Sequence, residues 1–152
     1  MVARSLQDVE DIWKNLEGVK KLSDRVIGIG PFGIGLDGML AWFPVVGQVY
    51  TVGAAGWLLT QAVRARANPS TILRMLGYLG LDTAVGSVPI LGDAIDTILP
   101  AHLMAARALQ KDIETTHWVN GSARAAKASG DHDRHAADAR AAKRRRVVYF
   151  HD

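Results

Sequence analysis

With 152 residues the chain is long enough for one domain with a packed core, and the absence of cysteine excludes a disulfide framework and thiolate chemistry. Its formal net charge is only +3 and is unevenly spread, with the basic residues outside two long apolar stretches, 26–63 and 75–106, where Asp37, Asp82, Asp93 and Asp96 are the only charged side chains. The opening stretch, Met1 to Arg25, alternates charges and has no apolar run after a basic head, so no cleavable signal peptide is expected.

Along residues 1–25, Leu6, Val9, Trp13, Leu16 and Val19 recur at three- and four-residue steps, with Asp8, Glu10, Asp11, Lys14 and Glu17 between them. This is the pattern of an amphipathic helix of about four turns. Such a helix either packs on the rest of the fold or lies in a membrane interface with Trp13 at headgroup level. Its polar face is acidic as often as basic, which favours packing.

The composition then changes. From Val26 to Val63 the only charge is Asp37, and the 26 residues from Gly38 to Val63 carry none. A membrane-spanning helix needs about 20 apolar residues, so the length suffices. The segment is nevertheless interrupted by Pro31, Pro44 and eight glycines. Inside a soluble helix, Gly and Pro cost roughly 1 and 3 kcal/mol relative to Ala. In a membrane or a tight helix pair, small residues instead let backbones approach closely. The expected geometry is two helices, one before Pro44 and one from about Val46 to Val63, with a turn from Pro44 to Gly47. The run Gly28-x-Gly30-x-x-Gly33 matches a dinucleotide fingerprint in spelling only. No strand precedes it, Pro31 interrupts it, and no acidic residue lies near position 53.

Arg64, Arg66, Asn68, Pro69 and Ser70 form a polar, basic connector, in which Ser70 is the expected N-cap of a helix starting at Thr71. Met75 to Ala106 is again apolar and glycine-bearing, with Asp82, Asp93 and Asp96 and no Lys or Arg. Its two arms, about 14 and 17 residues, suit a re-entrant hairpin or a buried core better than two full crossings. The two regions are in fact one pattern written twice. Gly35-Leu36-Asp37, Pro44 and Gly47 recur 45 positions later as Gly80-Leu81-Asp82, Pro89 and Gly92. Five identities without a gap indicate an internal duplication. The expected fold is therefore all-α: two tandem helical hairpins (copies 26–63 and 71–106 of a domain spanning 26–107) behind an N-terminal amphipathic helix.

Residues 108–152 are polar. A helix is expected to continue to about Trp118, where Asn120-Gly121 ends it. Ser122 to Ala142 is mostly Ala, Arg, Asp and His, too poor in large apolar residues to offset chain entropy, so a disordered or frayed-helical tail is expected. Within it, Asp131-His132-Asp133-Arg134-His135 could ligate a metal, but a solvated polar run is the better account. The tail closes on Lys143, Arg144, Arg145 and Arg146, followed by Val147-Val148-Tyr149-Phe150. Four cations attract any polyanion. Nucleic acid is disfavoured without a folded basic surface or interleaved aromatics; an anionic lipid surface is the more natural partner, and a plain solvated terminus stands level with it.

The aspartates are the chemical anomaly, because a carboxylate among apolar neighbours is costly unless paired, hydrogen-bonded or neutral. Asp37 and Asp82 either cap helix ends or pair with Arg74 and Arg107. Alternatively, ionisable groups at membrane depth form a proton or cation path, with Asp93 and Asp96 sharing a helix face. No nucleophile setting, cofactor motif or dedicated metal set is recognisable, so an enzyme is not expected.

Taken together, the repeats resemble the family known as domain of unknown function 4112, found largely in bacteria. The resemblance covers roughly Ile27 to Arg107. It is carried by Gly35-Leu36-Asp37, Phe43-Pro44-Val45-Val46-Gly47, Arg74-Met75, Leu81-Asp82, Gly86-Ser87-Val88-Pro89, and Gly92-Asp93 with Asp96. The chain departs from the family pattern at Gln48 and at Pro100-Ala101-His102. The resemblance implies a small membrane-associated helical protein and supplies no reaction.

The function expected from all this is that of a structural or accessory subunit at the cytoplasmic membrane, with cytoplasmic termini. Its expected partners are lipid and a larger membrane complex or a second copy of the chain. The competing expectations are a soluble helical interaction or dimerisation module and an ion- or proton-conducting element.

Overall fold

The computed structural model describes residues 2–28, 44–85 and 94–152, and side chains within these outside 21–28, 44–51, 81–85 and 94–100. Six helices and two strands lie among the described residues: α1 (Leu6–Gly28), α2 (Pro44–Arg64), α3 (Pro69–Val85), α4 (Ala94–Glu114), β1 (Thr116–Val119), α5 (Ala123–Ser129), α6 (Asp131–Ala141) and β2 (Arg146–Tyr149). The protein is mostly helical, as its periodicity implies. No described helix is long and apolar enough to cross a membrane.

The starts of α1, α2 and α3 each have a chemical reason. Ser5 caps α1 by accepting from the Asp8 amide at 3.2 Å, while the Asp8 carboxylate accepts from the amides of Arg4 (2.9 Å) and Ser5 (3.1 Å). This reciprocal arrangement satisfies orphan N–H groups at the helix entrance. Those bonds, led by that from Arg4, hold the Asp8 carboxyl below its ordinary pKa. Pro44 is the first residue of α2, where its missing N–H costs nothing. The stretch from Pro44 to Gly47, expected to form a turn, is accordingly the first turn of this helix. For α3 the cap is Asn68, not Ser70: its side-chain oxygen accepts from the Ser70 amide (3.0 Å) and hydroxyl (2.9 Å), with Pro69 at the first helical position.

The core gathers around α4, which packs on α1, α2 and α3. Its inner face is built from Ala105, Ala106, Leu109 and Ile113, and the small alanines bring neighbouring helices close. Against it lie Val9, Ile12 and Leu16 of α1, Leu58 and Ala62 of α2, and Met75 and Leu79 of α3. The amphipathic face of α1 thus packs on the fold, although Leu6, assigned to that face, is 54% exposed and Ile12, left out of it, is buried. Between the polar faces, Gln110 donates to Glu17 at 3.0 Å and the Trp13 indole N–H donates to Glu114 at 3.0 Å.

The last third corrects the sequence reading twice. The helix ends at Glu114, and residues 116–119 are a strand; Ser122 to Ala142 is folded into α5 and α6. β1 and β2 pair in parallel, Thr116 opposite Arg146 and Val119 opposite Tyr149. A parallel pair requires a long crossover, and α5 and α6 supply it. Ser122 caps α5 through the Ala125 amide (3.2 Å), and Gly130, at φ +81°, separates the two helices. This unit is stabilised chiefly by the aromatic residues at its ends, its alanine-rich middle adding only the small buried side chains of Ala126 and Ala139. Tyr149 and Phe150 are 3% and 2% exposed, and the Phe150 ring stacks on Trp118 at 5.4 Å. Burying one such aromatic is worth about 1.5–3 kcal/mol.

Candidate functional site

Besides the bond from the Trp118 indole N–H to the Ile113 carbonyl (3.3 Å), the C-terminal unit is fastened to the helices by two polar clusters, each holding an arginine. α2 ends in a Schellman motif: the Ala67 amide donates to the Ala62 carbonyl (2.9 Å) and the Arg66 amide to that of Val63 (3.0 Å). This holds Arg66 at φ +48°, a conformation that usually favours glycine. The backbone is held there by what the side chain reaches. Its guanidinium donates to the carbonyls of Tyr149 (2.8 Å), Phe150 (3.1 Å) and Asp152 (3.3 Å). Nε of the same group is buried with no hydrogen-bond partner among the described residues. On the other side of the same helix end, the Ala3 amide donates to the Arg64 carbonyl at 2.7 Å.

The second fastening is Asp112, in the last turn of α4. One carboxylate oxygen accepts from the Asn68 amide (3.0 Å) and from Arg146 Nη2 (2.8 Å), and the other from the Thr71 hydroxyl (3.2 Å). Arg146 Nε also donates to the Thr116 hydroxyl (3.1 Å), whose own proton goes to the Asp112 carbonyl (2.7 Å). One residue, through its carboxylate and its carbonyl, therefore ties the starts of α3, β1 and β2 to the end of α4. Its 9% side-chain exposure makes the ion pair with Arg146 a largely desolvated one.

Two concavities flank this junction. The first is an apolar groove of about 230 Å³ between α1, the end of α4 and β1, lined by Val9, Trp13, Ile113 and Trp118, with Glu10 and Arg144 among its polar residues. The second is a basic cleft of about 260 Å³ between α6 and the approach to β2. Its floor is Ala136, Ala139 and Val147, and its polar lining is His132, Arg140, Arg144, Arg145 and Arg146. Arg146 is committed to Asp112. The side chains of Arg140, Arg144 and Arg145 are exposed and make no hydrogen bond or ion pair with a described residue. His132 Nδ1 lies 3.0 Å from the Tyr149 hydroxyl, whose pKa is raised by burial and by the charges of Asp152 and Asp131.

Of the residues singled out in the sequence, Asp37, Asp93, Pro89 and Gly92 lie outside the described residues, as does the first arm of the first repeat from residue 29 on; residues 26–28 are the end of α1. Asp82 lies in α3 and Asp96 in α4. Arg74 and Arg107 are exposed, and neither pairs with a described side chain. Gly47 lies within α2. The basic run Lys143 to Arg146 is not a loose tail. Lys143, at φ +54°, is the left-handed residue of a second Schellman motif, in which the Arg144 amide donates to the Ala139 carbonyl (2.7 Å). Tyr149 and Phe150, just beyond that run, are buried and cannot serve as a lipid anchor. In the acidic and histidine-rich run, Asp131 pairs with Arg134, His132 meets Tyr149, and the His135 ring packs edge-on to the Tyr149 ring at 6.1 Å.

Sequence reasoning missed Asp112 and Arg140, and it named Arg66 and His132 without the contacts they make. Asn68-Pro69, two residues beyond Arg66, was a legible signal that a helix ends there. Asp112 had none, because its partners are 34 and 44 positions away.

Comparison with curated proteins and with solved structures gave no match. A family described as Domain of unknown function (DUF4112) matches residues 12–113, which run from the second turn of α1 to the penultimate residue of α4. The four-helix core is thus the matched part, the two strands with α5 and α6 lie beyond it, and the chain belongs to the domain of unknown function 4112 family.

Proposed function

We propose that the protein is a membrane-associated accessory subunit, without catalysis of its own, whose α2 and α3 rest in lipid while the C-terminal unit stays in the cytoplasm. The observation that carries this reading is the outer surface of these two helices. On α2 it runs Val52, Gly56, Thr60 and Val63, with Val52 68% and Val63 59% exposed. On α3 it runs Leu73, Leu76, Gly77 and Gly80, with Leu73 71% exposed. The one polar side chain among these, Thr60, donates its proton to the Gly56 carbonyl of its own helix at 2.8 Å, so the stripe asks little of water. Because no described helix is long and apolar enough to cross a membrane, the reading is of helices lying in or re-entering the bilayer. The basic groups Arg64, Arg74, Arg107 and Lys111 lie towards the C-terminal unit, in keeping with a cytoplasmic setting for that end.

The test is alkaline carbonate extraction of membranes from expressing cells, done for wild type and for Leu73→Lys. Wild type should remain in the pellet. At so exposed a position Lys costs an aqueous monomer no more than about 0.5 kcal/mol, whereas in lipid it costs up to about 2.5–3.5 kcal/mol. The variant should therefore move to the supernatant still folded. Recovery of wild type as a monodisperse species without detergent would refute the membrane reading.

One observation favours a second reading, self-association through the same stripes. A Cβ added at Gly53, Gly56, Gly77 or Gly80 would meet nothing within 4 Å, so these glycines leave shallow, open surface of the kind that admits a second helix. A dimer in light scattering, lost in Gly56→Leu, would support it.

A further inference from the structure

The basic cleft and the apolar groove share one lining residue, Arg144, and no other. On one side of it lie three guanidinium groups and a histidine; on the other lie Val9, Trp13, Ile113 and Trp118. Like charges collected in a concavity repel one another, and they are relieved by an anion held among them. The guanidinium fork matches phosphate oxygens, with two parallel bonds available from each group. When Tyr149 donates to His132 Nδ1, the ring proton sits on Nε2, a further donor for the same anion. Glu10 is the sole carboxylate lining either concavity, and it lines the apolar one. Either volume alone falls below the roughly 300 Å³ at which small-molecule sites begin, so a ligand of ordinary size would have to use both, and Arg144 is the residue at which they adjoin.

We propose that the C-terminal unit binds a single phosphorylated amphiphile, its phosphate held by Arg140, Arg144 and Arg145 and its apolar chain laid in the groove between Trp13 and Trp118. This deepens the membrane reading, because it assigns a headgroup preference to the cytoplasmic end of the molecule. Arg146 takes no part in holding the anion. It is bound to Asp112 and fixes the strand that presents its neighbours.

The full-length protein in mixed micelles provides the test, with Trp fluorescence quenched by lipids carrying brominated acyl chains. The comparison is brominated phosphatidate against brominated phosphatidylcholine, and the quantity read is the ratio of their quenching affinities. Phosphatidate should be preferred by about tenfold, the worth of one good charge-assisted contact. The double variant Arg140→Gln/Arg145→Gln should bring the ratio to about one. Lys127→Gln/Lys143→Gln removes the same charge from exposed residues that do not line the cleft, and should leave the ratio unchanged. An equal loss in both double variants would overturn the proposal in favour of unspecific attraction. Collapse of the preference in millimolar inorganic phosphate would overturn it in favour of a simple anion site. Since the protein is already in micelles, the outcome does not depend on how it partitions in the cell, and either reading can fail without the other.

Discussion

Replacing Asp112 by Ala should detach the C-terminal unit from the helices, and the expected loss can be worked from the bonds that Asp112 accepts. The change leaves the Asn68 amide without its acceptor, an orphaned donor worth about 1–3 kcal/mol where water cannot replace it. It also strands Arg146, whose side chain is 21% exposed. A charge-assisted bond is worth about 1.5–3 kcal/mol, here taken at the lower end because that residual exposure lets water in. The Thr71 hydroxyl can rotate to another acceptor and adds little. The total is about 3 kcal/mol, a large share of the roughly 5–15 kcal/mol that holds a domain together. In equilibrium urea unfolding at fixed detergent, monitored by near-ultraviolet circular dichroism, this lowers the midpoint by about 1.5 M at a slope near 2 kcal/mol/M. Asp112→Asn, which keeps one acceptor, should lose about half as much. A midpoint shift below about 0.5 M for Ala would mean that Asp112 does not hold the unit, and the reasoning fails.

Lys143→Gly relieves a left-handed backbone position on an exposed side chain, and should raise the melting temperature in calorimetry by about 2 °C. Asp8 titrates below its ordinary value in the folded protein, so its contribution is present above the unfolded pKa of about 3.9 and is lost as pH falls through the lower folded value. Between pH 6 and pH 3, Asp8→Asn should therefore lose less stability than wild type in parallel melts; an equal loss would contradict the capping geometry.

The helical core was legible because its signals are local. The three- and four-residue spacing of Val9 and Leu16 predicted the packed face of α1, and the Asn68-Pro69-Ser70 run marked a helix start to within two residues. The C-terminal unit was not legible, for a physical reason. Chain entropy was weighed against the alanines of residues 122–142 alone, while the apolar surface that offsets it comes from Trp118, Tyr149 and Phe150. A parallel strand pair leaves no hairpin turn in the sequence, only two short apolar runs separated by helix. The cleft, likewise, joins His132 and Arg140 to Arg144 through helix packing that spacing does not reveal. Lys143 to Arg146 were singled out together, but the fold divides them. Arg144 and Arg145 line the cleft without a partner among the described residues, Arg146 is consumed by Asp112, and Lys143 ends a helix.

The Arg66 fastening has a consequence for the order in which the protein folds. Its acceptors lie 83, 84 and 86 positions further along the chain. Closing a loop of that size instead of one helical turn costs about 3 kcal/mol more in chain entropy. On the ribosome, α2, α3 and α4 are all made before the acceptors exist, so these helices must find one another, or a bilayer, while the end of α2 is still unclasped. The clasp closes last, and the slowest refolding phase should be the one in which Trp118 comes to rest on Phe150.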